Sequence, residues 1–237
     1  MGFRKPALYL LLWLALSAAV WAQAQPTDPD GDFVFHYGRV AGAVLEDLLR
    51  RGEMLAAVND LLVDAASGER RLAGYAEFHA VYDVPATTFL AVVLDFGHYA
   101  DFMPWIAQSR LVNGLDDPYY QTTYYAGINF FGLKLGYGTI GESRLDYLEN
   151  GSVGLRSRLV ESLDNNLYEH YVSWYVEPVL VAGRSMTYVR YFNRPGIRNP
   201  GPGMLTLARL FANGNTRGQV DSMAREASRR QRNAAID

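Results

Sequence analysis

The chain has 237 residues, 49% of them hydrophobic and 20% charged, a balance that excludes a disordered tail or a low-complexity spacer. Its net charge of −3 leaves no basic stripe for phosphate, which argues against nucleic acid and against a general attraction to anionic headgroups. There is no cysteine, so disulfides, thiolate nucleophiles, cysteine zinc sites and iron–sulfur clusters are excluded.

Residues 1–24 carry Arg4 and Lys5, an uncharged run from Ala7 to Trp21, and then Ala22-Gln23-Ala24. That is the basic, apolar and small-x-small pattern of a signal peptide, with cleavage expected after Ala24. The apolar run is about 15 residues, short of the roughly 20 that span a bilayer. No later stretch approaches 18 apolar residues, so a soluble periplasmic or secreted protein is expected. Residues 25–52 read as a linker, Pro26-Thr27-Asp28-Pro29-Asp30, followed by a helix over 33–51. There Val40, Ala43, Val44 and Leu48 fall at 3/4 spacing, and Gly52 is a plausible stop.

Residues 53–63 fit a helix or a strand, and Ser67-Gly68-Glu69-Arg70 is a turn. Gly74–Tyr82 is short, aromatic and β-rich, hence a strand. Pro85 suits the first turn of a helix, expected over Ala86–Phe96, with a second short helix over His98–Phe102. Strand after strand follows: Ser109–Asn113, Tyr119–Ala126, Leu133–Tyr137, Thr139–Leu148, Ser152–Glu161, Tyr168–Glu177 and Arg184–Asn193. Asn150-Gly151 marks a hairpin, and Gly114–Pro118 and Gly196–Gly203 read as turn and loop. A long helical pattern closes the chain over Met204–Arg232, with Gly214 and Gly218 in its middle as a bend or a close approach. Runs of strands followed by a helix make the fold α+β, an antiparallel sheet whose buried face the last helix covers.

No catalytic constellation is evident. His36, His79, His98 and His170 include no pair at metal-ligand spacing, no serine sits in a GxSxG elbow, and no cofactor is implied. Gly132–Gly138 lacks the ending of a phosphate loop and reads better as sheet twist or bulge. Gly127–Gly138 reads as a flexible loop whose tip, Ile128, Phe130 and Phe131, either touches membrane or ligand or plugs the sheet edge. Arg156 and Arg158 share a face with each other, opposite Glu142 and Arg144. Outward, they are a solvated charge set; inward, a buried arginine needs an anion. Trp174, Tyr188 and Tyr124 recur on alternate positions of three strands, with His170, Val172 and Val176 on the face of Trp174.

The run Tyr82-Asp83-Val84-Pro85-Ala86, then Phe89, Leu94-Asp95-Phe96, Tyr99, Phe102-Met103-Pro104-Trp105 and Ser109-Arg110 resembles the START-like (SRPBCC, Bet v 1-like helix-grip) superfamily, in its polyketide cyclase and coenzyme Q-binding branch. The resemblance covers roughly 53–232 and makes 53–237 a START-like lipid-binding domain. It implies a curved antiparallel sheet of about six or seven strands wrapped on the C-terminal helix, with two short helices after the first strand and an apolar cavity between sheet and helix. The residues expected to meet a ligand there are Phe102, Trp105, Tyr124, Phe130, Tyr137, Arg156, Trp174, Tyr188, Leu207 and Phe211. The expected partner is a lipid, sterol-like compound, quinone or aromatic molecule, with transient membrane contact and no nucleic acid. Two alternatives stay open: an interaction module with a vestigial cavity, and a polyketide cyclase or dehydratase that moves a proton with a cavity Arg, Tyr or His. What separates them is whether the cavity is filled, and whether His79, His170, Arg156 or Arg158 faces it.

Overall fold

Side-chain alternation along the aromatic and β-branched runs builds eight strands among the described residues: β1 (Glu53–Val63), β2 (Arg70–Tyr82), β3 (Ile106–Gly114), β4 (Tyr119–Phe130), β5 (Leu133–Tyr147), β6 (Val153–Ser162), β7 (Leu167–Val181) and β8 (Arg184–Arg198). The computed structural model describes residues 35–114, 119–130 and 133–234, and their side chains except at 113, 114, 119, 128–130 and 133–135. The expected leader, the 26–30 linker and most of the Gly114–Pro118 turn lie outside these residues. The strands form one curved antiparallel sheet in the order β1-β2-β8-β7-β6-β5-β4-β3. Between β2 and the far edge the chain makes α2 (Ala86–Val93), a 3-10 turn at Phe96–His98 and α3 (Tyr99–Phe102). It then meanders back strand by strand to pair β8 with β2, and α4 (Met204–Ala234) runs across the inner face.

Four expectations change. The strand count is eight, because 53–63 pairs with β2 and extends the sheet. Leu133–Tyr137 and Thr139–Leu148 are one strand, since the ladder to β4 runs on from Leu133 to Arg144 through Gly136 and Gly138. The loop expected at Gly127–Gly138 is a hairpin, with Gly127 opposite Gly136 and Phe130 opposite Leu133; Phe131 lies outside the described residues. Finally, the 33–51 helix shrinks to α1 (Leu45–Arg50). Gly38 and Gly42 have φ of 87° and 76°, a left-handed backbone that no right-handed helix accommodates.

Residues 35–44 instead form a strap on the outer face of the sheet. The Tyr37 ring lies directly over Gly154, where a Cβ would stand 2.2 Å from it. Its hydroxyl donates to Asp146 at 2.9 Å, and Asp146 also pairs with Arg156 at 2.9 Å. His36 stacks on Phe192 at 4.2 Å and pairs with Glu77 at 2.9 Å, and Glu77 also binds Arg190. Arg190 donates to the carbonyls of Tyr37 and Gly38. Below the strap, Leu48 of α1 joins Val81, Tyr175, Val179, Met186 and Tyr188 in a second apolar cluster. The main core lies on the other face, where Phe89, Val92 and Val93 of α2 meet Phe78, Trp174, Val189 and the α4 residues Val220, Met223 and Ala227.

Burial alone would push Glu77 up, but His36 and Arg190 more than offset it and hold the carboxyl below the ordinary 4.5. Its folded-state pKa is therefore lower than its unfolded one. The stability this adds is complete above about pH 4.5 and is lost as pH falls through the lowered value. Glu77→Gln should cost about 3 kcal/mol at neutral pH. Its urea midpoint should converge with that of the unaltered protein as the solution is acidified. A gap that stays constant with pH would mean that Glu77 is not the titrating group.

Candidate functional site

The first half of α4 stands off the inner face of the sheet and is tied to its β1 edge by Arg209, whose Nε donates to the Asn59 carbonyl at 3.2 Å. From Met204 to Asn215 none of its residues is buried, and Leu210 is 68% exposed, whereas Thr216, Val220, Met223 and Ala227 are deep in the core. The space left between this half-helix and the inner face is a cavity of about 500 Å³. One wall is Leu207, Ala208, Phe211 and Ala212 of α4. The opposite wall takes every second residue of the strands: Leu72 and Ala76 on β2, Tyr191 and Asn193 on β8, His170, Val172 and Trp174 on β7, Leu155 on β6, Tyr137 and Thr139 on β5, and Tyr124 and Ala126 on β4. Phe96, Tyr99, Met103 and Trp105 close one end.

That end is set by local chemistry. Pro85 begins α2, and the chain turns back on itself at Met103-Pro104. Trp105 adopts φ of 73°, a left-handed backbone that costs a non-glycine residue about 1–2 kcal/mol. The Gly127 N–H donates to the Trp105 carbonyl at 2.7 Å and holds it. Tyr99 stacks on Tyr124 at 5.7 Å and donates its hydroxyl to the Val93 carbonyl. Trp174 packs on Tyr191 at 4.2 Å.

Of the residues expected to meet a ligand, Trp105, Tyr124, Tyr137, Trp174, Leu207 and Phe211 line this cavity together. Phe130 ends β4, with its side chain outside the described residues. Three others lie elsewhere. Phe102 packs beside Tyr99 under the Arg230 guanidinium, on a surface with Asp95, His98 and Glu226. Arg156 and Tyr188 are on the outer face, because Leu155 and Ser157 of β6 and Val189 and Tyr191 of β8 take the inward positions. Arg156 is nonetheless only 5% exposed, since Phe35 and Tyr37 of the strap cover it. It is thus outward yet buried, a combination that neither expectation for it contains. Tyr188 donates its hydroxyl to His79 at 3.0 Å and accepts the Val40 N–H at 3.2 Å.

His170 is one of several cavity residues outside the expected set, and the one imidazole among them. The sequence places it on the face of Trp174, four residues away. Its Nε2 lies 3.0 Å from Asn193 Oδ1 on the adjacent strand. Burial pushes the imidazole down from 6.5, and the Asn193 bond only partly opposes this. Tyr191 donates to Gln219 of α4, and Ser143 pairs with Ser157 at 2.6 Å. Burial holds the phenols of Tyr124, Tyr137 and Tyr191 above their ordinary value, so all three are neutral hydrogen-bonding groups at physiological pH.

No family model and no curated protein matches the sequence. Solved structures do match. Human StAR-related lipid transfer protein 5 has a TM-score of 0.57 at 8% identity, over 73% of this chain and 88% of that one. The STAR-related lipid transfer protein of Xanthomonas axonopodis gives 0.54 at 14%, over 72% of this chain and 98% of the solved fragment. The chain has the START-like helix-grip fold. An aromatase/cyclase from a Streptomyces species is similar in the same way, with a TM-score of 0.52 at 16% identity over 68% of this chain and 98% of that one. The START-like likeness at such identities extends to the fold; the cavity wall is this chain's own.

Three histidines should titrate apart in a two-dimensional NMR pH series. His170 and His79, both desolvated, should have midpoints below 6.5, and His98, bonded to Asp95, a midpoint above it. Asn193→Leu should lower the His170 midpoint further. A His170 midpoint at or above 6.5 would mean that the imidazole is solvated and does not stand in an apolar cavity.

Proposed function

We propose that the protein is an exported carrier that shelters one hydrophobic molecule, a lipid, sterol-like compound, quinone or aromatic, in the cavity beneath α4. The observation that carries this is the open, largely apolar hollow of about 500 Å³, within the size range of small-molecule sites. A packed interior leaves few voids larger than a water molecule, so a hollow of this size is a built feature. Two of the similar structures are named as lipid transfer proteins, which supports the same reading. The signal-peptide pattern of residues 1–24 supports export, and an apolar molecule crossing an aqueous compartment needs such shelter. The interaction module was to be favoured by a filled cavity, and loses that support.

A cyclase or dehydratase is the second reading. It draws on His170, a neutral imidazole facing the cavity, and on the similar aromatase/cyclase. His170 would polarise a carbonyl or move a proton. Polyketide substrates are usually tethered to carriers inside the cell, so the leader pattern counts against it.

Native mass spectrometry of protein recovered from its own compartment, followed by organic extraction, tests the carrier. A one-to-one apolar adduct is expected. Ala208→Trp and Ala212→Trp project into the hollow and should abolish the adduct while leaving the circular dichroism unchanged. An empty protein that takes up nothing from a panel of lipids, sterols and quinones would sink this reading.

A further inference from the structure

The surface of the cavity is mostly apolar, and all but one of its polar side chains are uncharged. Among the described residues that line it, Arg158 is the only one of a charged type, and its guanidinium is held by Glu142 at 2.9 Å. The inward positions beside it on β6 are Leu155 and Ser157. A carboxylate or phosphate carried into this hollow would lose its water and find the one guanidinium of the lining already neutralised by Glu142, a costly transfer for a charged group. A hydroxyl or carbonyl needs only one or two hydrogen bonds.

His170 and Asn193 can supply them. Asn193 Oδ1 only accepts, so the 3.0 Å contact puts the imidazole proton on Nε2. That leaves His170 Nδ1 as an acceptor and the Asn193 amide nitrogen as a donor. Among the described residues neither side chain makes another hydrogen bond. Donor and acceptor thus stand on adjacent strands, with Val172 opposite Asn193 in the ladder, in a largely apolar cavity. The desolvated imidazole is neutral at physiological pH, so it adds no charge of its own.

We propose that the ligand is an electrically neutral amphiphile, an apolar body ending in a hydroxyl or carbonyl, whose polar end is held by His170 and Asn193. This rests on the carrier reading and narrows it: fatty acids and phospholipids are excluded by charge, while alcohols, sterols and quinones are admitted.

Displacement of the neutral fluorescent probe N-phenyl-1-naphthylamine tests it, with hexadecanol and hexadecanoate as one matched pair and cholesterol and cholesterol sulfate as another. At about pH 7.5 the neutral member of each pair should bind at least about tenfold more tightly. His170→Leu and Asn193→Leu should each weaken hexadecanol about tenfold, or about 1.4 kcal/mol, and narrow the preference for hexadecanol over hexadecanoate by the same factor. An unchanged circular dichroism spectrum reports that the fold survives in each variant, and the matched pairs on the unaltered protein stand whatever the variants do. Equal or tighter binding of the anions would overturn the proposal, as would leucine variants that hold hexadecanol as tightly as before. In either case a bound probe leaves the carrier reading standing. If neither probe nor competitor binds, the carrier reading fails and this one falls with it.

Discussion

A side chain on a strand belongs to one face of the sheet, and its neighbours in sequence belong to the other. In this chain that alternation sorts the molecule into two chemistries. Inward residues such as Phe78, Trp174, Val189 and Tyr191 build the core and the cavity wall. Outward residues such as Glu77, Arg156 and Arg190 would face water, were it not for residues 35–44 laid across them. A shift of one residue in a strand would exchange the two sets along it, turning Arg156 inward on β6 or Trp174 outward on β7. Register is thus what keeps most of the charge out of the cavity.

The cavity itself follows from a mismatch of shapes. A helix is a straight rod, and the sheet is curved, so the two can touch closely along only part of their length. The C-terminal half of α4 takes that contact and is fixed by Val220, Met223 and Ala227. Polar ties reinforce it: Tyr82 donates to Asp221 at 2.7 Å, and Arg230 bridges Glu226 and Asp95. Where the rod leaves the sheet, the aromatic residues of the 96–105 segment close the end, and the remaining space is the hollow.

The architecture was legible because its signals are local. Period-two alternation marked the strands, Pro85 and the Asp95-Phe96 pair marked the helices after β2, and the long last helix announced its role as cover. Face was not legible. Tyr188 and Trp174 look alike as aromatic residues in strands, and only register separates them. Arg156 fell outside both alternatives, because a strap far away in sequence buries an outward position. That strap was itself read as helix, since Val40, Ala43, Val44 and Leu48 carry the right spacing while Gly38 and Gly42 break the backbone. His170 was noticed on the correct face, but a lone histidine in a strand says nothing of a cavity until the helix above it is seen to stand off.

Gly214 and Gly218 sit in α4 at the change from cavity wall to core. No atom outside their own helical surroundings stands within 4 Å of where a side-chain carbon would be placed. Packing therefore does not require glycine at either position, and the close approach considered for them is absent. Alanine would fit at both and would strengthen the helix by about 1 kcal/mol at each. The chain thus keeps its covering helix softer than the fold demands, at the joint between the half packed into the core and the half that spans the hollow.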